Sequence, residues 1–268
     1  MCDSGSVVMQ RLDYQGSDGV SLVAQLVLPA GDGPFPGMLV AHEWWGNTDY
    51  PRSRARQLAA QGYAALTVDL YGQGRATASP DEARVWMLDA LAQPQRLRMR
   101  FEAGLALLRH QPQISAQQIA AIGYCFGGRV VLDMARQGLD LVGVASFHGL
   151  LGTDTPAVPD AVTAAILVAH GDADELVTES DVARFEVEMQ QAGVQYSLKR
   201  YPGAPHAYSN PASPNYRKAA DQRAWADLTE FLQRLFDCAT PGKRLPTNSS
   251  AGAWMLIGST CAAALALP

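Results

Sequence analysis

Seven short runs rich in Val, Ile, Leu and Ala recur along this 268-residue chain. They are SLVAQLVLP (21–29), GMLVAHEWW (37–45), YAALTVDL (63–70), IAAIGYC (119–125), LVGVASFHG (141–149), AAILVAHG (164–171) and QYSLKRYPG (195–203). A strand packed on one face alternates apolar and polar residues, whereas a strand covered on both faces has no solvent side to make polar. Between the runs lie segments with helical spacing, at 51–61, 79–92, 95–110, 126–137, 179–192 and 214–237. The alternation predicts an α/β class: a mostly parallel, doubly wound sheet with helices on both faces. Gly62, Gly138 and Gly193 each directly follow a helical segment, where a left-handed cap residue belongs.

No internal repeat is visible and no linker interrupts the chain before about residue 240, so one α/β domain is expected over 1–240. Residues 241–268 are expected to be a tail outside it. That tail ends in AGAWMLIGSTCAAALALP, uncharged but only weakly hydrophobic and not followed by basic residues, so a membrane anchor is not expected. The net charge of −5 leaves no basic surplus to neutralise phosphates, which argues against nucleic acid and for a small-molecule partner. Cysteines at 2, 125, 238 and 261 lack the paired spacings of zinc or dithiol sites and suit a reducing compartment. The N-terminal MCDSGSVVMQRLDYQG has no basic region followed by an apolar run, so the expected location is cytoplasmic. A zincin helix would need a histidine four residues after His42, where Gly46 stands, and no metal or cofactor is expected. A monomer and a homodimer both fit this reading.

The stretch IGYCFGGR (122–129) carries the chemistry. An apolar strand ending in Gly-Tyr-Cys, followed at once by Phe-Gly-Gly and a helical run, puts Cys125 on a tight turn between strand and helix. Gly123 and Gly127 fit there, because so sharp a turn leaves no room for side chains two residues either side. The unpaired N–H groups and positive dipole end of a helix starting at Phe126 favour an anionic sulfur. A space-filling cysteine on a turn shaped by packing alone has the same local sequence, so partners elsewhere must decide.

Two candidate partners lie beyond later strands. His206, in Gly-Ala-Pro-His, follows the last run; His110 falls in a helical pattern, and His42, His148 and His170 belong to strand ends. In His170-Gly-Asp172-Ala-Asp174, the Gly-x-x-Asp spacing from Gly171 favours Asp174 as the acid and leaves Asp172 to fix the turn through backbone hydrogen bonds. Cys125, Asp174 and His206 thus all sit past carboxyl ends of strands, the edge at which open parallel sheets bind ligands.

GYCFGG resembles the nucleophile elbow of α/β hydrolases with sulfur replacing the serine oxygen. With His42-Glu-Trp-Trp-Gly46, Asp69-Leu-Tyr-Gly72, HGDAD and PGAPH, the sequence resembles the dienelactone hydrolase family over roughly residues 8–237. The resemblance implies the α/β-hydrolase fold and a cofactor-free carboxylic ester hydrolase with a Cys125–His206–Asp174 triad. It implies an oxyanion hole from the backbone N–H groups of Trp44 and Phe126. It also implies that Glu43 interacts with the thiol and helps control its ionisation. A carboxylate beside a thiolate repels it, so Glu43 can assist only by accepting the thiol proton or by moving away as substrate arrives.

The family's type enzymes grip a carboxylated unsaturated lactone with arginines. One of these follows the catalytic histidine by four residues, where this chain has Asn210. Arg84 approximates another and joins Trp45 and Tyr124 as a candidate substrate contact, while Trp44 and Trp45 fit rim packing equally well. The expected substrate is a small ester or lactone rather than a peptide, since an amine departs poorly without strong protonation. A thioesterase or a broad xenobiotic carboxylesterase would use the same triad. A non-catalytic ligand-binding protein on this scaffold is a further alternative, against which every triad position is filled.

Overall fold

A computed structural model describes residues 7–238; the proposed domain limit at 240 and the apolar tail lie outside the described residues. Eight strands form one sheet: β1 (Val8–Gln15), β2 (Ser21–Leu28), β3 (Phe35–Ala41), β4 (Ala64–Val68), β5 (Ile114–Tyr124), β6 (Gly143–Phe147), β7 (Ala165–Gly171) and β8 (Tyr196–Tyr201). The helices are α1 (Asp49–Ala60), α2 (Pro80–Leu91), α3 (Pro94–Arg109), α4 (Phe126–Arg136), α5 (Glu179–Gln191) and α6 (Lys218–Cys238). Every predicted run contains a strand and every predicted helical segment a helix. Gly62, Gly138 and Gly193 take the left-handed backbone, at φ 94°, 69° and 66°. Among the described residues no helix is long and apolar enough to cross a membrane.

The two-residue strand period divides the core between the sheet's faces. Leu39 and Ala41 of β3, Leu66 and Val68 of β4 and Ile166 and Val168 of β7 enter one cluster with α3, α4 and α5. Their neighbours Met38, Val40, Ala65, Leu167 and Ala169 enter the other, with Leu58 of α1 and Leu228 and Leu232 of α6. Each fully buried Leu or Val contributes about 1.5–3 kcal/mol relative to an exposed one, which is why strands apolar throughout belong in the middle of such a sheet.

The spatial order is β1-β2-β4-β3-β5-β6-β7-β8, parallel from β4 to β8, with β1 and β2 antiparallel at one edge. β1 was not among the predicted strands. Its sequence VMQRLDYQ is mostly exposed, with only Leu12 and Tyr14 half-buried, so it carries no apolar run. The run 37–45 also stops being strand at Ala41, because His42–Gly46 leave the ladder as a loop.

This order has a functional consequence. From β3 the chain passes through α1 to β4 on one side, while β5 pairs with β3 on the other, with Ala41 opposite Gly123. Strand order therefore reverses between β3 and β5, and a crevice opens beyond their carboxyl ends. The loop after β3 and the turn after β5 both open into it.

Candidate active site

Cys125 sits between β5 and α4 with φ 53° and ψ −114°, a backbone conformation that L-residues rarely adopt. Its N–H donates to the carbonyl of Phe147 at 3.0 Å, tying the turn to β6. The glycines are sterically required: a Cβ on Gly123 would lie 2.0 Å from the Gly127 carbonyl oxygen, and one on Gly127 would lie 2.4 Å from that of Ala41. The turn thus packs backbone against backbone and lifts the thiol, half-buried, into the crevice.

The loops after β7 and β8 bring up the other two groups. Asp174 Oδ2 lies 2.8 Å from His206 Nδ1, and His206 Nε2 lies 3.1 Å from Cys125 Sγ. Asp174 Oδ1 accepts from Leu176 N–H at 2.9 Å, so both carboxylate oxygens are held. Asp172 does not bond the turn through its side chain; its carboxylate instead pairs with Arg200 of β8 at 2.5 Å. Burial opposes the charged imidazole of His206, but hydrogen bonds and charge from Asp174 and Cys125 outweigh it and push its pKa up to about 10.

Glu43 is buried near the start of the loop after β3, and burial pushes its pKa up to about 7 against the hydrogen bond from Asn210 and the charges of His206 and Arg54. Its recorded side-chain partner is not the thiol: Asn210 Nδ2 donates to Glu43 Oε2 at 2.7 Å. Asn210 is anchored in turn, with its Oδ1 accepting from Ala212 N–H at 2.9 Å.

Three residues support the site in ways the sequence reading did not foresee. His42 Nδ1 lies 2.7 Å from the Glu43 carbonyl oxygen, and Leu70 N–H donates to His42 Nε2 at 3.3 Å. These partners assign the proton to Nδ1, and burial lowers the pKa of the ring, so His42 is neutral. Tyr71 donates its hydroxyl to the Trp44 carbonyl at 3.0 Å and stacks its ring on Phe126 at 5.4 Å between centroids, joining the loop to the elbow. Asp69 knots the loop that carries Tyr71, accepting from the N–H groups of Tyr71, Gly72, Gly74 and Val23. The strand-end position of His42 and the DLYG stretch were the only sequence signals for this scaffold.

A cleft of about 630 Å³ opens over these groups, lined by Glu43, Trp44, Trp45, Cys125, Phe126 and His206 together with Met87, Leu150, Leu176 and Asn210. Two expected substrate contacts fall elsewhere. Arg84 is exposed on α2 and does not line the cleft, because the inward stripe of that helix runs through Ala83, Trp86, Met87 and Ala90. Tyr124, as the last residue of β5, points into the core beneath the sheet, beside Tyr50 and Phe147 at centroid distances of 5.0 and 5.1 Å. Trp45 lines the cleft as expected, and Trp44 both lines it and packs against the core.

The doubly wound sheet, the strained turn after β5 and the loops gathered at one sheet edge define an α/β hydrolase. The chain belongs to the dienelactone hydrolase family, whose profile matches residues 22–236. A Bradyrhizobium relative, described as "Probable 2-oxo-3-(5-oxofuran-2-ylidene)propanoate lactonase", is 29% identical over 237 residues, covering 85% of this chain and 95% of its own length. The solved structure of m3DLH superimposes with a TM-score of 0.81 at 29% identity, covering 86% of this chain and 99% of that one. A dienelactone hydrolase-like promiscuous phosphotriesterase from metagenomic libraries gives a TM-score of 0.79 at 26% identity, with 86% and 99% covered. The protein is a hydrolase of this family.

Proposed function

We propose that the protein hydrolyses a small ester or lactone through a thioester on Cys125. The observation that carries this reading is the unbroken line from Asp174 Oδ2 through the His206 ring to Cys125 Sγ, at 2.8 and 3.1 Å. A histidine oriented by a buried acid, with its other nitrogen on a nucleophile, is the arrangement that acyl transfer requires.

In this cycle the sulfur attacks the substrate carbonyl and a C–S bond forms. The oxyanion is held by the N–H of Phe126, first in α4 and so without a partner in the helical ladder, and by that of Trp44. His42 acts as a positioning residue here. It grips the Glu43 carbonyl, and in a trans peptide the N–H of the next residue points the opposite way, so Trp44 N–H is turned from His42. The C–O bond breaks as His206 Nε2 gives its proton to the leaving alkoxide, and Asp174 compensates the ring's charge while it is protonated. Water then attacks the thioester, His206 takes its proton, and the acid leaves from sulfur. In a lactone the alkoxide stays attached, and the product is a single hydroxy acid.

Glu43 assists indirectly. While Asn210 holds it, Glu43 stays buried without opposing the sulfur through a direct contact, and with its raised pKa it is partly protonated near neutral pH. The test is turnover of p-nitrophenyl butanoate by wild type and by Cys125→Ala. Loss of turnover in the variant is expected, with iodoacetamide inactivating the wild type by alkylation at residue 125; unchanged turnover refutes the assignment.

A further inference from the structure

We propose that the cleft selects uncharged substrates, esters or lactones whose acyl or alkyl groups are apolar, and rejects those carrying a carboxylate. The inference rests on the hydrolase reading above and specifies what the same site accepts. Its walls are Trp44, Trp45, Met87, Phe126, Leu150 and Leu176, which offer ring faces and aliphatic surface. Among the described residues lining the cleft there is no Lys or Arg, while two are carboxylic acids, Glu43 and Asp49. Asp49 lies at the mouth, its side chain 94% exposed and paired with Arg52 at 3.2 Å, so solvent screens it. Glu43, 3% exposed, is the acid whose charge bears on a bound substrate.

The nearby buried arginine and the cleft's side-chain amide are already engaged, which leaves neutral hydroxyls such as Thr48 and Ser213 as the lining donors. Arg54, the buried cation close enough to affect Glu43, donates to Tyr50, Gln57, the Ser209 carbonyl and Asp221 and does not line the cleft. Asn210 uses its amide nitrogen on Glu43 and its oxygen on Ala212 N–H. The one cation lining the cleft, His206, has both ring nitrogens on Asp174 and Cys125, so a substrate carboxylate would lose its hydration without gaining a free cation and would sit beside the ionised fraction of Glu43, while the apolar walls would gain nothing from it.

The matched probes are p-nitrophenyl adipate with a free terminal carboxylate, its terminal methyl ester, and p-nitrophenyl hexanoate, each followed by release of nitrophenolate with Cys125→Ala as background. We expect kcat/KM for the methyl ester and the hexanoate to exceed that for the free acid by about tenfold or more, the scale of an unpaired like charge at a binding site. Equal or faster turnover of the free acid overturns the selectivity and leaves the hydrolase reading standing. Absence of Cys125-dependent turnover with all three probes overturns the hydrolase reading, and the selectivity with it.

Discussion

Asn210 donates its side-chain amide to the Glu43 carboxylate at 2.7 Å, joining the loop after β8 to the loop after β3 in a buried contact. This contact keeps an ionisable acid buried beside the candidate nucleophile, at a cost in stability that depends on pH. The pKa of Glu43 rises from its ordinary 4.5 to about 7 in the folded protein, chiefly through burial. Between those values the unfolded chain releases this proton while the folded chain keeps it, so the contribution to stability falls as pH rises across the window and is level above it. Glu43→Gln cannot ionise and can still accept from Asn210. It is expected to be more stable than wild type at pH 8, by up to about 3 kcal/mol, with the difference vanishing towards pH 4.5. Urea denaturation at the two pH values measures this, and the same variant should acylate more slowly without unfolding; wild-type kinetics would remove the catalytic role of Glu43.

The pKa of His206, raised to about 10, gives the opposite sign. The stabilising ion pair with Asp174 is fully present below the ordinary histidine value of 6.5 and is lost as pH rises through about 10. NMR of imidazole-labelled protein should find His206 protonated throughout the neutral range. Asp174→Asn should bring its titration down by at least about one pH unit and lower kcat with it. A His206 titrating near 6.5 in the wild type would contradict the electrostatics described for the site.

His42 provides a separate test of the proposed oxyanion hole. His42→Ala leaves the Glu43 carbonyl with only the Gly46 N–H at 3.1 Å and so loosens the direction of Trp44 N–H; kcat should fall by about tenfold with little change in KM. His42→Asn places a donor near the position of Nδ1 and should recover much of the loss. Alkylation of Cys125 by iodoacetamide should be unaffected in both variants, because the thiol and its histidine are untouched. Equal loss of kcat in the Ala and Asn variants would show that the residue supports folding rather than the direction of that peptide.

Much of this site could be read from the sequence because its requirements are local. Gly123 and Gly127 mark the elbow because backbone lies within 2.0 and 2.4 Å of where their Cβ atoms would be, and no other residue fits. The central strands were legible because both of their faces are buried. β1 was not, since an edge strand with one half-buried face shows only Leu12 and Tyr14 against a polar background. The pairing of Asn210 with Glu43 was also out of reach: the residues are 167 apart, and only the packing of two loops brings them together. Arg84 and Tyr124 failed as substrate contacts for a related reason. Proximity in sequence to α2 or to the elbow does not decide which face a side chain takes, and the stripe of α2 and the pleat of β5 turn both away from the cleft.

Trapping the acyl group tests the thioester most directly. Wild-type protein mixed with excess p-nitrophenyl butanoate and quenched in acid within the first turnover should gain the mass of one butanoyl group. Peptide mapping should place it on the fragment containing Cys125, with no such gain in Cys125→Ala. Rapid nitrophenolate release with no adduct at that residue, or an adduct on another side chain, would contradict the account.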